Sequence, residues 1–400
     1  MSRNRYSLAL ILVSVMVLTP SAAVGQSVVL REAPLVKFPS ATDSNSPCHW
    51  DGDTFYTLNS QGHPFLSSGS DQFHLGKPAR CEYDNKVNGG RWIECTWKAD
   101  DGTLYGWYHN EPGGLCPGTH LTAPKIGAAR SIDNGLNWID LGIVLEAPPN
   151  TNDCSAKNGF FVGGNGDFSC MLDSKKRFIY LFISTYFAGL DEQGVSVARM
   201  SWLHRDSPAG KVWKYRSGKW DQPGVGGRVS AIFPAKISWV REDADAFWGP
   251  AVHWNTHLQC YVMLLNRTRY KPGWPQEGVY ISFCKDLGDP KSWTEPKKIL
   301  NGGGWYPEVF GVDSAAKETD KLVGRQARFY MHGRSKHEMI FLREGEDCRG
   351  CRQCMSGRGS RPGYLLACHR RVLESHCEYM FALTPGNLQC AESDSRRSWS

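Results

Sequence analysis

Five times along the chain a turn leads into an apolar residue, a Tyr and a β-rich run: DGDTFYTLNS around Tyr56, DDGTLYGWY around Tyr105, DSKKRFIYLFIS around Tyr180, NTHLQCYVMLLN around Tyr261 and RQARFYMHGRS around Tyr330. The tyrosines recur about every 50–80 residues, a period that suits the blade of a propeller better than a helical repeat. Each run reads as the second strand of a hairpin whose first strand precedes the turn. Five such units predict a closed radial array, an all-β five-bladed β-propeller, with the blades near 43–85, 91–144, 163–220, 247–300 and 305–343. The strand VVLREAPLVKF is expected to complete the last blade and close the ring. Gly/Pro-rich connections such as EPGGLCPG, EAPPN and QPGVGGR separate the units.

The 400 residues, with 41% apolar and 12% aromatic content, suffice for a large core. The net charge of +6 is spread along the chain without a basic stripe interleaved with stacking aromatics, so nucleic acid is not an expected partner. Arg3 and Arg5, the run LALILVSVMVL and the small residues Ala23-Val24-Gly25 have the form of a signal peptide over residues 1–25. No other segment is long and apolar enough to span a bilayer. A secreted or periplasmic protein without a membrane partner after cleavage is therefore expected, and a monomer. Export makes disulfides possible among the eight body cysteines, Cys48, Cys81, Cys95, Cys116, Cys154, Cys170, Cys260 and Cys284; their connectivity is open. Residues 344–400 break the pattern. Their CRGCRQC run invites a metal-cluster reading, but Cys368 is badly spaced for one and the composition suits an irregular tail.

SIDNGLNW, from Ser131 to Trp138, resembles the Asp-box of sialidases and related propellers, where it shapes a turn between outer strands; Asp133 is then structural. The order of the first strands is similar to that of five-bladed furanosidase-type glycoside hydrolases, families 43 and 32 and their relatives, over roughly residues 40–343. Such enzymes carry an Asp on blade one, an Asp on blade three and a Glu on blade four. NGDFSCMLD resembles the blade-three segment, which implies that Asp167 orients the acid and tunes its pKa. Blade one departs from the pattern: Ser46-Pro47 stands where Asp-Pro is expected, leaving Asp43 as candidate general base or nucleophile. Blade four departs further, with Trp248-Gly249-Pro250 in place of Glu-Gly-Pro.

A replacement acid is then sought in Asp245, Glu94 or Glu308. Glu94 sits between Trp92 and Trp97, and Glu308 opens blade five in WYPEVFG. A carboxyl beside indole rings has its charged form disfavoured, the shift a general acid needs. His49, Trp50, His109, His253 and Trp248 are candidate sugar contacts, and Arg267 a candidate partner for a carboxylated sugar. The chemistry requires no cofactor; His332 in FYMHGRS is similar to a channel histidine that some members place near a bound calcium, so a structural calcium is the metal that the resemblance implies. Three functions remain open. One is a secreted glycosidase with paired carboxylates at the channel mouth, acting on an oligo- or polysaccharide. Another is a carbohydrate-binding propeller without catalysis, consistent with Ser46 and Trp248. The third is a sialidase-like enzyme, which needs an arginine triad and a Tyr/Glu nucleophile pair; Arg130, Arg199 and Arg267 could bind a carboxylated sugar, but five hairpins and one intact box count against it.

Overall fold

The computed structural model describes residues 25–269 and 274–346. The expected signal peptide, apart from Gly25, and the CRGCRQC run lie outside the described residues. Five mainly antiparallel sheets follow one another along the chain. Their innermost full strands are Cys48–Asp51, Gly90–Lys98, Asn165–Leu172, Ala246–Asn255 and Glu308–Gly311. All five repeat tyrosines lie on the second strand of their blade.

The packing explains the repeat. Apolar clusters fill each junction between neighbouring blades, for example Leu58 and Leu66 against Ile93 and Trp138 between blades one and two, and Val262 and Leu264 against Phe329 and Phe341 between blades four and five. In Asn165–Leu172 every residue is buried. Successive side chains still serve opposite neighbours: Phe168, Cys170 and Leu172 pack toward blade two, and Met171 toward blade four, as strand alternation requires. The repeat tyrosines belong to these junctions. Tyr105 meets the edge of Trp202 at 5.3 Å, and Tyr330 stacks on Phe38 at 4.5 Å.

Closure is made as expected. Strand Ser27–Lys37 pairs antiparallel with Arg334–Leu342, from Ser27 opposite Leu342 to Lys37 opposite Arg334, so the first strand among the described residues forms the outer edge of blade five. One connection departs from a plain blade. After Glu308–Gly311 the chain runs to Leu322–Val323, which pairs parallel with Trp254–Asn255 on the channel side of blade four. On the way Glu318 carbonyl accepts from Trp50 Nε1 at 2.9 Å, and Asp320 Oδ1 accepts from Cys48 amide at 3.1 Å. That end of the channel is covered.

Of the eight body cysteines, four pair: Cys95 with Cys170, and Cys116 with Cys154. Cys48, Cys81, Cys260 and Cys284 are buried thiols. Cys95–Cys170 joins the inner strands of blades two and three across 75 residues of chain. Closing a loop of that length restricts the unfolded chain by about 4 kcal/mol. The double variant Cys95→Ser, Cys170→Ser is therefore expected to lower the unfolding free energy by about that amount in a denaturant titration.

Candidate functional site

Three inner strands depart from regular pairing at the same end. The register slips between Ile93 and Cys95, between Gly166 and Phe168, and between Trp248 and Ala251. Such bulges re-aim a side chain that strict alternation would send elsewhere. Glu94 and Asp167 are themselves the extra residues of their bulges, and Asp167 opens onto the channel mouth, which Trp248 also lines. Asp167 has φ 39°, a left-handed conformation costly for a residue with a Cβ, so its neighbours must hold it.

The holding groups are identifiable. Glu94 Oε2 accepts from the Phe168 amide at 2.6 Å, Ser184 Oγ donates to the Asp167 carbonyl at 2.8 Å, and the Asp167 amide lies 3.2 Å from His109 Nδ1. Asn45 Nδ2 is shared between the Phe168 and Pro250 carbonyls at 3.0 Å each. The blade-one loop thereby ties down the bulges of blades three and four.

Asp43, Trp92, His109, Glu111, Asp167 and Trp248 help to line a cavity of about 250 Å³, whose remaining wall is aromatic: Phe160, Phe161, Trp274, Trp305 and Tyr306. Asp167 is 3% exposed. Tyr186 hydroxyl donates to its Oδ2, and Tyr306 hydroxyl to Oδ1 at 3.3 Å. Burial pushes this carboxyl up to about 7; the His109 charge opposes that rise and Glu94 adds to it. Burial also raises Glu94, against the pull of His109. For His109, burial favours the neutral ring, but Glu111 and Glu94 together outweigh it and hold the imidazole well above its ordinary value. Its Nε2 lies 3.3 Å from Glu111 Oε1, and its Nδ1 3.2 Å from Glu94 Oε1. Asp43 and Glu111 side chains are 37% and 31% exposed and reach the open part of the cavity.

Ligand atoms of Glu94, His109 and Asp167 lie within 4.8 Å of one another, close enough to hold a metal ion. Glu94 accepts from Phe168 and Asp167 from two tyrosines, while His109 Nδ1 can either donate to Glu94 or accept from the Asp167 amide, and its Nε2 makes no hydrogen bond.

Of the sequence-derived candidates, the structure brings Asp43, Asp167, Glu94, His109 and Trp248 together and sends others away. Asp245 is bound by Arg267 at 2.8 and 2.9 Å and faces Arg269 at 3.4 Å, so neither Asp245 nor Arg267 meets the cavity. Glu308 is buried below it, where it accepts from the Ser46 amide at 2.8 Å and lines, with His253, a void of only about 10 Å³. Burial pushes Glu308 up to about 8. His49 and Trp50 line a different cavity, at the far ends of the inner strands. Trp248 is 1% exposed, a back wall with no open face for a sugar. His332 Nε2 lies 3.4 Å from Asp43 Oδ1, on the cavity rim. Arg130 pairs with Asp206 and Arg199 covers Phe178 and Trp220; none of the three arginines of a sialidase-like site lines the cavity.

Sequence reasoning missed Tyr186, Phe160, Phe161 and Trp274. Phe160 and Phe161 come from an irregular connection held by Asn158, whose Oδ1 accepts both of their amides at 2.8 Å. Tyr306 and Trp305 stand directly before Glu308 in WYPEVFG, so that signal was present.

No family model matches the chain, and no curated protein is similar to it in sequence. In fold it is similar to solved glycoside hydrolases at low identity. An α-L-arabinanase of Cellvibrio cellulosa complexed with arabinohexaose is 12% identical, with 76% of this chain and 92% of that one covered and a TM-score of 0.46. An exo-1,5-α-L-arabinanase from a bovine ruminal metagenomic library is 12% identical, with 77% and 96% covered and a TM-score of 0.44. A thermostable family-43 glycoside hydrolase is 11% identical, with 77% and 92% covered and a TM-score of 0.45.

The buried carboxyl gives a stability test. The unfolded chain ionises Asp167 near pH 4, whereas the folded chain keeps the proton to about 7. A carboxyl raised in this way weakens the fold as pH climbs from about 4 to about 7. Asp167→Asn lacks that loss. Its stability relative to the parent is expected to rise across this window by at least about 1 kcal/mol in denaturant titrations at stepped pH.

Proposed function

We propose that the chain hydrolyses glycosidic bonds at this cavity, with Asp167 as general acid and Asp43 as the carboxylate that activates water or attacks the sugar. The observation that carries the reading is the buried Asp167 carboxyl, pushed up to about 7, on the floor of an aromatic-walled cavity that a second carboxyl-bearing residue, Asp43, also lines. A general acid has to hold its proton at the working pH, and its partner carboxyl has to be free of it. With Trp248 where a blade-four Glu would stand, Asp167 takes over the proton donation instead of tuning another acid. Its proton passes to the glycosidic oxygen as the bond breaks, and the hydrogen bonds from Tyr186 and Tyr306 stabilise the carboxylate left behind. Glu111 and His332 are placed to bind sugar hydroxyls, and Trp305 and Phe160 to cover ring faces.

The substrate class is a neutral oligo- or polysaccharide, since no arginine lines the cavity among the described residues. Export fits the two disulfides, which persist in oxidising compartments.

A screen of aryl-glycosides and oligosaccharides for released sugar tests the reading. Asp167→Asn and Asp43→Asn are each expected to lower kcat/KM by about 10²–10⁴. The parent's activity is expected to fall as pH rises through about 7, where Asp167 loses its proton. Undiminished hydrolysis by Asp167→Asn would remove it as the acid. Saturable oligosaccharide binding without turnover would make the chain a binding propeller.

A further inference from the structure

The far mouth of the channel holds a second cavity, of about 430 Å³. The first cavity gathers residues at the starts of the inner strands, such as Trp92 and Asp167. This one gathers residues at their ends, Trp50, Lys98, Leu172 and Trp254, under the connection that carries Lys317 to Leu322. We propose that it binds a neutral aryl molecule bearing a hydroxyl group, a phenol in its simplest form.

The walls specify the ring. Trp50, Trp97 and Trp254 are half-buried there, and Tyr261 meets Trp254 at 4.8 Å. Such walls favour a flat apolar body. The hydroxyl is specified by two polar side chains that line the cavity. Thr96 is 2% exposed and its Oγ1 makes no hydrogen bond; His49 is 5% exposed, with the Asn134 side chain beside it but no well-formed hydrogen bond to either ring nitrogen. A buried polar atom left unpaired is costly and calls for a partner. Thr96 and a neutral His49 can each donate and accept, which matches a hydroxyl. Burial and the nearby Lys98 push His49 down to about 4, so the ring is neutral at neutral pH.

Charge excludes an anion. Lys98 pairs with Asp51 at 2.9 Å, Lys176 with Asp100 at 2.6 Å, Lys317 with Asp53 at 2.9 Å and Lys321 with Asp320 at 2.7 Å. Every lysine on the cavity is already compensated. A sugar is also a poor fit, because its many hydroxyls would meet mostly apolar wall.

The test uses the full chain and 4-methylphenol, toluene and xylose as probes, with titration calorimetry and saturation-transfer NMR. Saturable binding of 4-methylphenol is expected, with toluene weaker by about tenfold and xylose not displacing it. Thr96→Val, which keeps the side-chain shape, and His49→Phe, which keeps the stack on Tyr56, are each expected to weaken 4-methylphenol about tenfold. Asp167→Asn is expected to bind it as the parent does, which separates this site from the glycosidic reading. Absence of saturable binding would overturn the proposal. So would equal affinity for toluene, displacement by xylose, or parental affinity in folded Thr96→Val and His49→Phe.

Discussion

The hydrogen bond from the Phe168 amide to Glu94 Oε2, at 2.6 Å, is the contact on which the rest of the site depends. It fixes a bulge in the inner strand of blade three, and the bulge aims Asp167. Without it the strand would return to plain alternation, and a one-residue slip would send the Asp167 carboxyl into the apolar junction between blades. Placing a carboxyl there, without the tyrosine hydroxyls that now pair with it, costs more than holding one strained φ angle. Asn45 and Ser184 fasten the same bulge from two further directions. The cavity is thus built on rigid strands and not on a loop. Cys95–Cys170 ties the two strands that carry Glu94 and Asp167 one residue and three residues from those carboxyls.

The two ends of the channel have acquired different chemistry from one strand direction. The end at which the inner strands start carries the bulges, the carboxyls and the tyrosine hydroxyls, Tyr186 from just after the second strand of blade three and Tyr306 from just before Glu308–Gly311. The ends of the inner strands run out regularly into Trp50, Trp97 and Trp254, beneath a connection that crosses from blade five to blade four. Between them the channel is filled by Asn45, Glu308 and His253 around a void of about 10 Å³. The mouths are therefore separate sites. Closure by strand Ser27–Lys37 holds the whole ring in register.

The architecture was legible because each repeat tyrosine marks a blade junction, and both parities of the inner strands must be apolar. Asp167 was legible from NGDFSCMLD, and the missing blade-four Glu from Trp248-Gly249-Pro250; only the fold shows that Tyr186 and Tyr306 cap Asp167. Asp245 misled because its partner Arg267 is set by hairpin register, across 22 residues of chain. His49 and Trp50 misled for a geometric reason. Their strand, Cys48–Asp51, is four residues long, and Cys48, His49 and Trp50 all line the far cavity, whereas Asp43, in the loop just before it, lines the first. Phe160, Phe161 and Trp274 come from irregular segments, where no periodicity announces a wall.

A carboxyl-¹³C NMR titration, read as the difference between the parent and Asp167→Asn, tests most directly whether this bulge holds a protonated acid at neutral pH. The expected result is one resonance that titrates with a midpoint near 7 in the parent and is missing from the variant. A lost resonance that titrates near 4, the ordinary aspartate value, would contradict it.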